Sequence, residues 1–139
     1  MTCLVDAIQK QGPFDGVLGF SQGGIIWRHF YRITQEIDPE AYPHFILPHF
    51  LITVASPISA GMKFEYKGRT YAQRLTQQFD FPSLHFVSPN DTYITPELTT
   101  DKLFTAESKP KLIEYEDGHM FPKALRDDDF TMLKIFLRD

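Results

Sequence analysis

The chain has 139 residues, 42% of them hydrophobic and 14% aromatic, with a formal net charge of −4. This composition predicts one folded domain over residues 1–139 and excludes a disordered chain. There is no basic run or stripe for nucleic acid, and no apolar run approaches the ~20 residues of a membrane span.

The N-terminal half alternates between helix and strand patterns. A first helix covers residues 2–11, and a strand covers Gly16–Phe20. A second helix runs from about residue 22 to 36, and a second strand, residues 50–55, is an almost unbroken apolar run, typical of strands buried on both faces. The helical spacing predicts these core-facing residues: Leu4, Val5 and Ile8 in the first helix, and Ile26, Phe30, Ile33 and Ile37 in the second.

The C-terminal half is less regular. Residues 61–78 are ambiguous, with an alternating pattern at 64–66 and then a segment, residues 71–78, that could form a short helix. The elements predicted after it are a strand at Leu84–Val87, a helix at Pro96–Ala106 with Thr95 as its N-cap, a strand at Lys111–Tyr115, and a helix at Phe130–Leu137 capped by Asp129. In this last helix we expect Phe130, Leu133 and Leu137 to face inward.

This alternation predicts an α/β fold with a mostly parallel sheet of about four strands and helices on both faces. In such sheets, functional sites form at the carboxyl ends of the strands. The residues predicted to follow those ends are Ser21, Ser56 with Pro57, Asp91 and His119.

Ser21 lies in the motif Gly19-Phe20-Ser21-Gln22-Gly23, between a predicted strand and a predicted helix. G-x-S-x-G in that context is the nucleophile elbow of α/β-hydrolases. We expect glycine at positions 19 and 23 to relieve crowding in a tight, strained turn. The backbone N–H of Gln22, at the helix N-terminus, is placed to stabilise an oxyanion.

Ser21, Asp91 and His119 occur in the chain order of α/β-hydrolase catalytic residues. A serine hydroxyl needs a base such as histidine, and the histidine needs a carboxylate to fix its tautomer. Asp80, Asp101 and Asp117 are the competing acids, and Asp91 is preferred because it follows a strand end. No histidine pair has metal-ligand spacing in a supporting pattern, so the sequence predicts neither metal nor cofactor.

The segments Gly12–Gly23, Leu84–Val87 with Asp91, and Gly118-His119 with Pro122 resemble the FSH-type family of small serine hydrolases, in the α/β-hydrolase superfamily. The resemblance covers nearly the whole chain. It implies that Ser21 is the nucleophile, Asp91 the acid and His119 the base in hydrolysis of carboxylic esters or thioesters through an acyl-enzyme.

The chain departs from the family pattern at three places. The family usually has glycine at the positions of Ser88 and Asp117. Family members also have N-terminal strands and an H-G loop, which looks to supply a second oxyanion donor, before the part that this chain resembles. We therefore expect the C-terminal portion of an α/β-hydrolase fold, with another polypeptide segment pairing with strand 16–20.

Three functions remain open: an active serine esterase or thioesterase, a hydrolase-derived structural subunit of a larger assembly, and a binding module without turnover. The apolar residues that we consider as the lining of an acyl-binding pocket are Phe20, Trp27, Pro57, Ile58 and Met120. Cys3, the single cysteine, excludes an internal disulfide, and no signal-peptide pattern is present. We expect an intracellular, most simply cytoplasmic, location, with mitochondria left open.

Overall fold

The computed structural model describes residues 2–58, 62–72 and 79–138. The α-helices in these ranges are α1 (Thr2–Gln11), α2 (Gln22–Arg32) and α3 (Asp127–Phe136). The strands are β1 (Gly16–Phe20), β2 (Phe50–Val54), β3 (Lys63–Tyr66), β4 (Arg69–Ala72), β5 (Ser83–Val87) and β6 (Lys111–Glu114). All four strands predicted from the sequence are therefore present, with ends that agree to within one residue.

Strands β1, β2, β5 and β6 form one parallel sheet in that order. The register pairs Leu18 with Ile52 and Ile52 with Leu84. This confirms the predicted α/β fold class with a mostly parallel four-stranded sheet. Among the described strands, β1 pairs only with β2, and its central residue Leu18 is 57% exposed.

Side chains from β2 show that helices cover both faces of the sheet. Ile52 and Val54 belong to a core cluster against which Leu133 of α3 packs. Leu51, the residue before Ile52, belongs to a second cluster with Trp27 of α2. Because consecutive strand residues point to opposite faces, α2 and α3 lie on opposite sides of the sheet, as predicted.

The β3–β4 hairpin covers α2 on a side for which the sequence predicted no partner. The ring of His29 stacks on Phe64 at 4.3 Å between centroids, and the Arg32 guanidinium lies 5.6 Å from the same ring. Polar residues of α2 are therefore buried, whereas Ile26 is 46% exposed. The prediction that Ile26 faces the core was wrong, because the helix packs on more than one side. The predicted strand pattern at 64–66 forms β3. The short helix predicted at 71–78 is wrong at residues 71–72, which belong to strand β4, and residues 73–78 lie outside the described residues.

The predicted helix at 96–106 was wrong: the segment forms two 3₁₀ turns, Pro96–Leu98 and Thr100–Leu103. Its backbone pairs instead with the segment after β2. Ile58 N–H donates to Leu98 O at 2.6 Å, and Thr100 N–H donates to Ser56 O at 2.8 Å. The extended backbone that these bonds require at Thr99 is incompatible with a continuous helix.

The ends of the helices also differ from the predictions. The second helix is α-helical only to Arg32 and continues as a π-helix over Ile33–Ile37. Helix α3 begins at Asp127, and Asp129 forms an ion pair with Arg126 at 2.7 Å instead of capping the helix. These residues predicted to be inward are exposed: Leu4, Phe130 and Leu137.

The turn between β1 and α2 depends on two glycines. A Cβ on Gly19 would lie 2.6 Å from the backbone nitrogen of Gly24, and a Cβ on Gly24 would lie 2.2 Å from Ser56 Oγ. A Cβ on Gly23 would meet nothing within 4 Å among the described residues. The steric reason expected for Gly23 therefore applies to Gly24 instead. Ser21, between them, has a φ of 48°, the strained left-handed region for a residue with a side chain.

Strand β5 carries a fully buried histidine. Nδ1 of His85 lies 2.6 Å from Thr53 Oγ1, and its Nε2 lies 2.9 Å from Ser83 Oγ. Burial lowers the pKa of His85 to about 4, partly opposed by the negative charge of Asp101. The ring is therefore neutral at physiological pH, satisfied by two hydroxyl groups that can each donate or accept.

We predict opposite effects for two alanine substitutions in the β1–α2 turn. Gly19→Ala forces backbone to move and should lower the free energy of unfolding by about 1–3 kcal/mol. Gly23→Ala, at an open helical position, should cost nothing or stabilise by about 0.5–1 kcal/mol. Urea unfolding of both variants measures the difference. Equal destabilisation by the two would contradict the assignment of the crowded position to Gly19.

We also predict that His85 causes the free energy of unfolding to decrease as the pH is lowered. Unfolding returns its pKa from about 4 to the ordinary 6.5, so between these values the unfolded chain binds a proton that the folded chain does not. The contribution of neutral His85 to the free energy of unfolding is fully present above pH 6.5. The free energy of unfolding decreases by about 3 kcal/mol as the pH is lowered to 4.

Urea unfolding of wild-type and His85→Asn protein across this pH range tests the prediction. The variant should lose less free energy of unfolding between pH 7 and pH 4 than the wild type. His44→Asn, at an exposed position, is the matched control and should behave as wild type. The same acid sensitivity in His85→Asn would show that other groups cause the effect.

Candidate active site

The structure brings Ser21, His119 and Asp91 together at the carboxyl ends of β1, β5 and β6. Ser21 Oγ lies 3.0 Å from His119 Nε2, and His119 Nδ1 lies 2.7 Å from Asp91 Oδ2. Because a carboxylate can only accept, Nδ1–H donates to Asp91, which leaves Nε2 of the neutral ring to accept from the serine hydroxyl. The histidine thus lies between the other two residues, in the arrangement expected from the sequence.

The carboxylate of Asp91 is held by its own loop. Its Oδ1 accepts hydrogen bonds from the backbone N–H groups of Tyr93 at 2.8 Å and Ile94 at 2.9 Å. The residue is only 5% exposed. These two donors use one oxygen, so the other oxygen is fixed in direction toward His119.

The imidazole of His119 lies between two aromatic rings. Its centroid is 5.4 Å from the ring of Phe20 and 5.2 Å from that of Tyr93. Phe121 in turn stacks on Phe20 at 4.9 Å. These contacts restrict rotation of the ring while its Nε2 edge still reaches Ser21.

The competing acids named from the sequence lie elsewhere. Asp117 accepts from the backbone N–H of Lys123 at 2.9 Å. Asp101 is hydrogen-bonded to Thr99 and ion-paired with Lys102 at 3.0 Å, and Asp80 is exposed. None of the three replaces Asp91 beside His119.

A cavity of about 330 Å³ opens beside Ser21 and His119, and its apolar lining comes from Ile25, Pro57, Met62, Tyr93 and Ile94. Of the pocket residues expected from the sequence, only Pro57 lines it. Trp27 and Ile58 pack in the core instead, Phe20 packs against His119, and Met120 is exposed.

Some of the lining residues that sequence reasoning missed had a usable signal. Ile25 lies four residues after Ser21, hence on the same side of a helix that starts there. Tyr93 and Ile94 follow Asp91 in its loop. Met62, which also lines the cavity, had no such signal in the sequence.

Arg28 of α2 is hydrogen-bonded to the loop that forms one wall of the cavity. Its Nη2 donates to Pro57 O at 2.8 Å, and its Nη1 donates to Ile58 O at 3.0 Å. Burial lowers the pKa of Arg28 to about 10, so the guanidinium stays charged at neutral pH. Thr100 Oγ1 adds a bond to Ser56 O at 2.9 Å in the same loop.

The N-terminus of α2 lies at the cavity. Gln22 is the first residue of the helix and lines the cavity, and an N–H at that position has no partner within its helix. Its role as an oxyanion donor stays a prediction. Among the described residues, no group of three or more His, Cys, Asp or Glu side chains is arranged to hold a metal ion.

Within residues 2–58, 62–72 and 79–138, we find no helix with the length and apolar character needed to cross a membrane.

Comparison with known proteins adds independent evidence. The sequence model of the family described as Serine hydrolase (FSH1) matches residues 1–130. Esterase OVCA2 of Xenopus tropicalis is 30% identical over 119 residues, covering 86% of this chain and 46% of the relative. The human Esterase OVCA2 is 29% identical over 121 residues, covering 87% and 48%.

A more distant relative, Esterase CG5412 of Drosophila melanogaster, is 25% identical over 126 residues, covering 88% of this chain and 39% of its own length. The chain thus spans about half the length, or less, of these curated relatives. The family match nevertheless covers nearly the whole chain. From this match, the chain belongs to the FSH-type serine hydrolase family.

Proposed function

We propose that this chain hydrolyses carboxylic esters or thioesters through a Ser21–His119–Asp91 catalytic triad. The observation that carries the proposal is the continuous hydrogen-bonded series from Ser21 Oγ through His119 to Asp91. Family membership supports a hydrolase, and the names of the relatives support an esterase.

Each step follows from this geometry. Ser21 Oγ attacks the substrate carbonyl carbon as its proton passes to His119 Nε2, and Asp91 stabilises the resulting imidazolium. The imidazolium then gives that proton to the leaving alcohol or thiol, which leaves an acyl-enzyme. Water then attacks the acyl carbon as His119 takes its proton, the bond between that carbon and Ser21 Oγ breaks, and the carboxylic acid leaves while Ser21 recovers a proton from His119.

The lining of the cavity favours an apolar substrate group. Its side chains beyond Ser21 and His119 are apolar or aromatic except for Gln22. An acyl or alkyl chain placed there would be removed from water by residues such as Ile25 and Pro57, which stabilises binding in proportion to the apolar area buried.

A second polypeptide segment completes the proposed enzyme by pairing with β1. Leu18, in the middle of β1, is exposed, and the other edge of β1 faces no described strand. The occupant we propose is an extended segment equivalent to part of the relatives that this chain does not span. A segment with a backbone donor near Ser21 would add to the Gln22 N–H in the oxyanion hole.

The open edge of β1 also favours one alternative function, that of a structural subunit held in an assembly through β1. In that case Ser21 would be present but without turnover. The two functions differ in whether Ser21 reacts.

We predict that Ser21→Ala abolishes ester hydrolysis and fluorophosphonate labelling while leaving the thermal unfolding midpoint nearly unchanged. The hydroxyl is the proposed nucleophile and lies at a partly exposed turn. Labelling and hydrolysis of a p-nitrophenyl acyl ester measure the first effect, and circular dichroism measures the second.

Ser108→Ala is the matched control, because Ser108 bonds only within its own turn in the hydrogen bonds described. It should keep wild-type activity. Wild-type protein that neither hydrolyses the ester nor takes up the label would favour the structural subunit. Unchanged hydrolysis by Ser21→Ala would remove the nucleophile assignment.

We predict that the 139-residue chain, expressed alone, associates through β1. Sedimentation velocity should show oligomers at micromolar concentration, because an exposed apolar strand edge pairs with other strands. Leu18→Lys should reduce this association.

Leu112→Lys, on the opposite edge strand β6, is the control and should leave the association unchanged. A stable, soluble wild-type monomer with β1 open to solvent would contradict the proposed pairing.

A further inference from the structure

We propose that Ser88 is a positioning residue that fastens the loop carrying Asp91 to the turn carrying His119. The loop comprises residues 88–94, here called the acid loop, and the turn comprises residues 115–119, here called the histidine turn. The effect on rate rests on the proposed function, whereas the effect on geometry does not.

The hydroxyl of Ser88 joins the two segments directly. Its Oγ accepts a hydrogen bond from the Gly118 N–H at 3.1 Å and from the Asn90 N–H at 3.3 Å. Ser88 is only 2% exposed. One oxygen therefore holds a backbone group on each side of the pair formed by Asp91 and His119, one residue before each of them.

Other contacts between the segments depend on the same close approach. Asn90 Nδ2 donates to Glu116 O at 2.9 Å. Gly118 has a φ of 77°, and a Cβ there would lie 3.3 Å from Asn90 O. The backbones of the acid loop and the histidine turn are thus in direct contact, and Ser88 supplies the buried acceptor in that contact.

The side-chain hydroxyl of Ser88 is the feature on which this contact depends. Alanine or glycine at this position would leave the Gly118 N–H without the side-chain acceptor that Ser88 supplies. A buried N–H that loses its partner costs free energy, which a shift of the turn away from the loop would relieve by admitting water. Such a shift would move His119 relative to Asp91, and a misplacement near 1 Å is enough to slow catalysis.

The first experiment measures geometry by NMR in wild-type, Ser88→Ala and Ser88→Gly proteins. We expect the low-field Nδ1–H resonance of His119 to broaden or disappear in both variants. We also expect hydrogen exchange at the Gly118 amide to accelerate about tenfold, the effect of losing one hydrogen bond. Ser88→Thr, which keeps the hydroxyl, should restore both signals, and Ser108→Ala should change neither.

The second experiment measures hydrolysis of a p-nitrophenyl acyl ester. Ser88→Ala should lower kcat by about tenfold to a hundredfold with KM nearly unchanged, because Ser88 is absent from the cavity lining while the triad geometry depends on it. Ser88→Thr should recover kcat.

The two experiments separate the two proposals. Unchanged Nδ1–H and Gly118 signals in both Ser88→Ala and Ser88→Gly would overturn the positioning role, whatever the activity. If the wild-type protein shows no hydrolysis but the signals change in the Ser88 variants, the positioning role is supported and only the proposed hydrolase function is contradicted. A rise in KM with constant kcat would also overturn it, since that result assigns Ser88 to substrate binding.

Discussion

Parallel pairing of β1, β2, β5 and β6 determines where chemistry can occur in this protein. In a parallel sheet all strands end at the same edge, so the residues that follow them meet although they are distant in sequence. Ser21 and His119 are 98 residues apart in the chain and 3.0 Å apart in space. The buried side chains of β2 and β5 stabilise this sheet, and the sheet positions the polar loops at its edge.

The features that could be predicted from the sequence are those fixed by local pattern and chain order. An almost unbroken apolar run, as at Phe50–Val54, identifies a strand without knowledge of its neighbours. Once four strands are identified, the residues after their ends follow by counting. This is why Ser21, Asp91 and His119 could be placed together before any contact was known, and why Asp91 could be preferred over Asp101.

Features set by tertiary contacts could not be predicted in this way. The segment after Pro96 has helix-start signals, but its backbone bonds to Ser56 and Ile58 instead of to itself. Ile26 fits an apolar stripe, yet the β3–β4 hairpin changes which sides of α2 are buried. The lining of the cavity depends on similar contacts, so only Pro57 was anticipated.

One bond pattern at the cavity has a mechanical consequence. Helix α2 begins immediately after Ser21. More than one helical turn later, Arg28 donates hydrogen bonds to the carbonyls of Pro57 and Ile58. The serine and one wall of the cavity are therefore both attached to helix α2. A displacement of α2 therefore moves the serine and this wall together, which preserves the depth of the cavity measured from the serine.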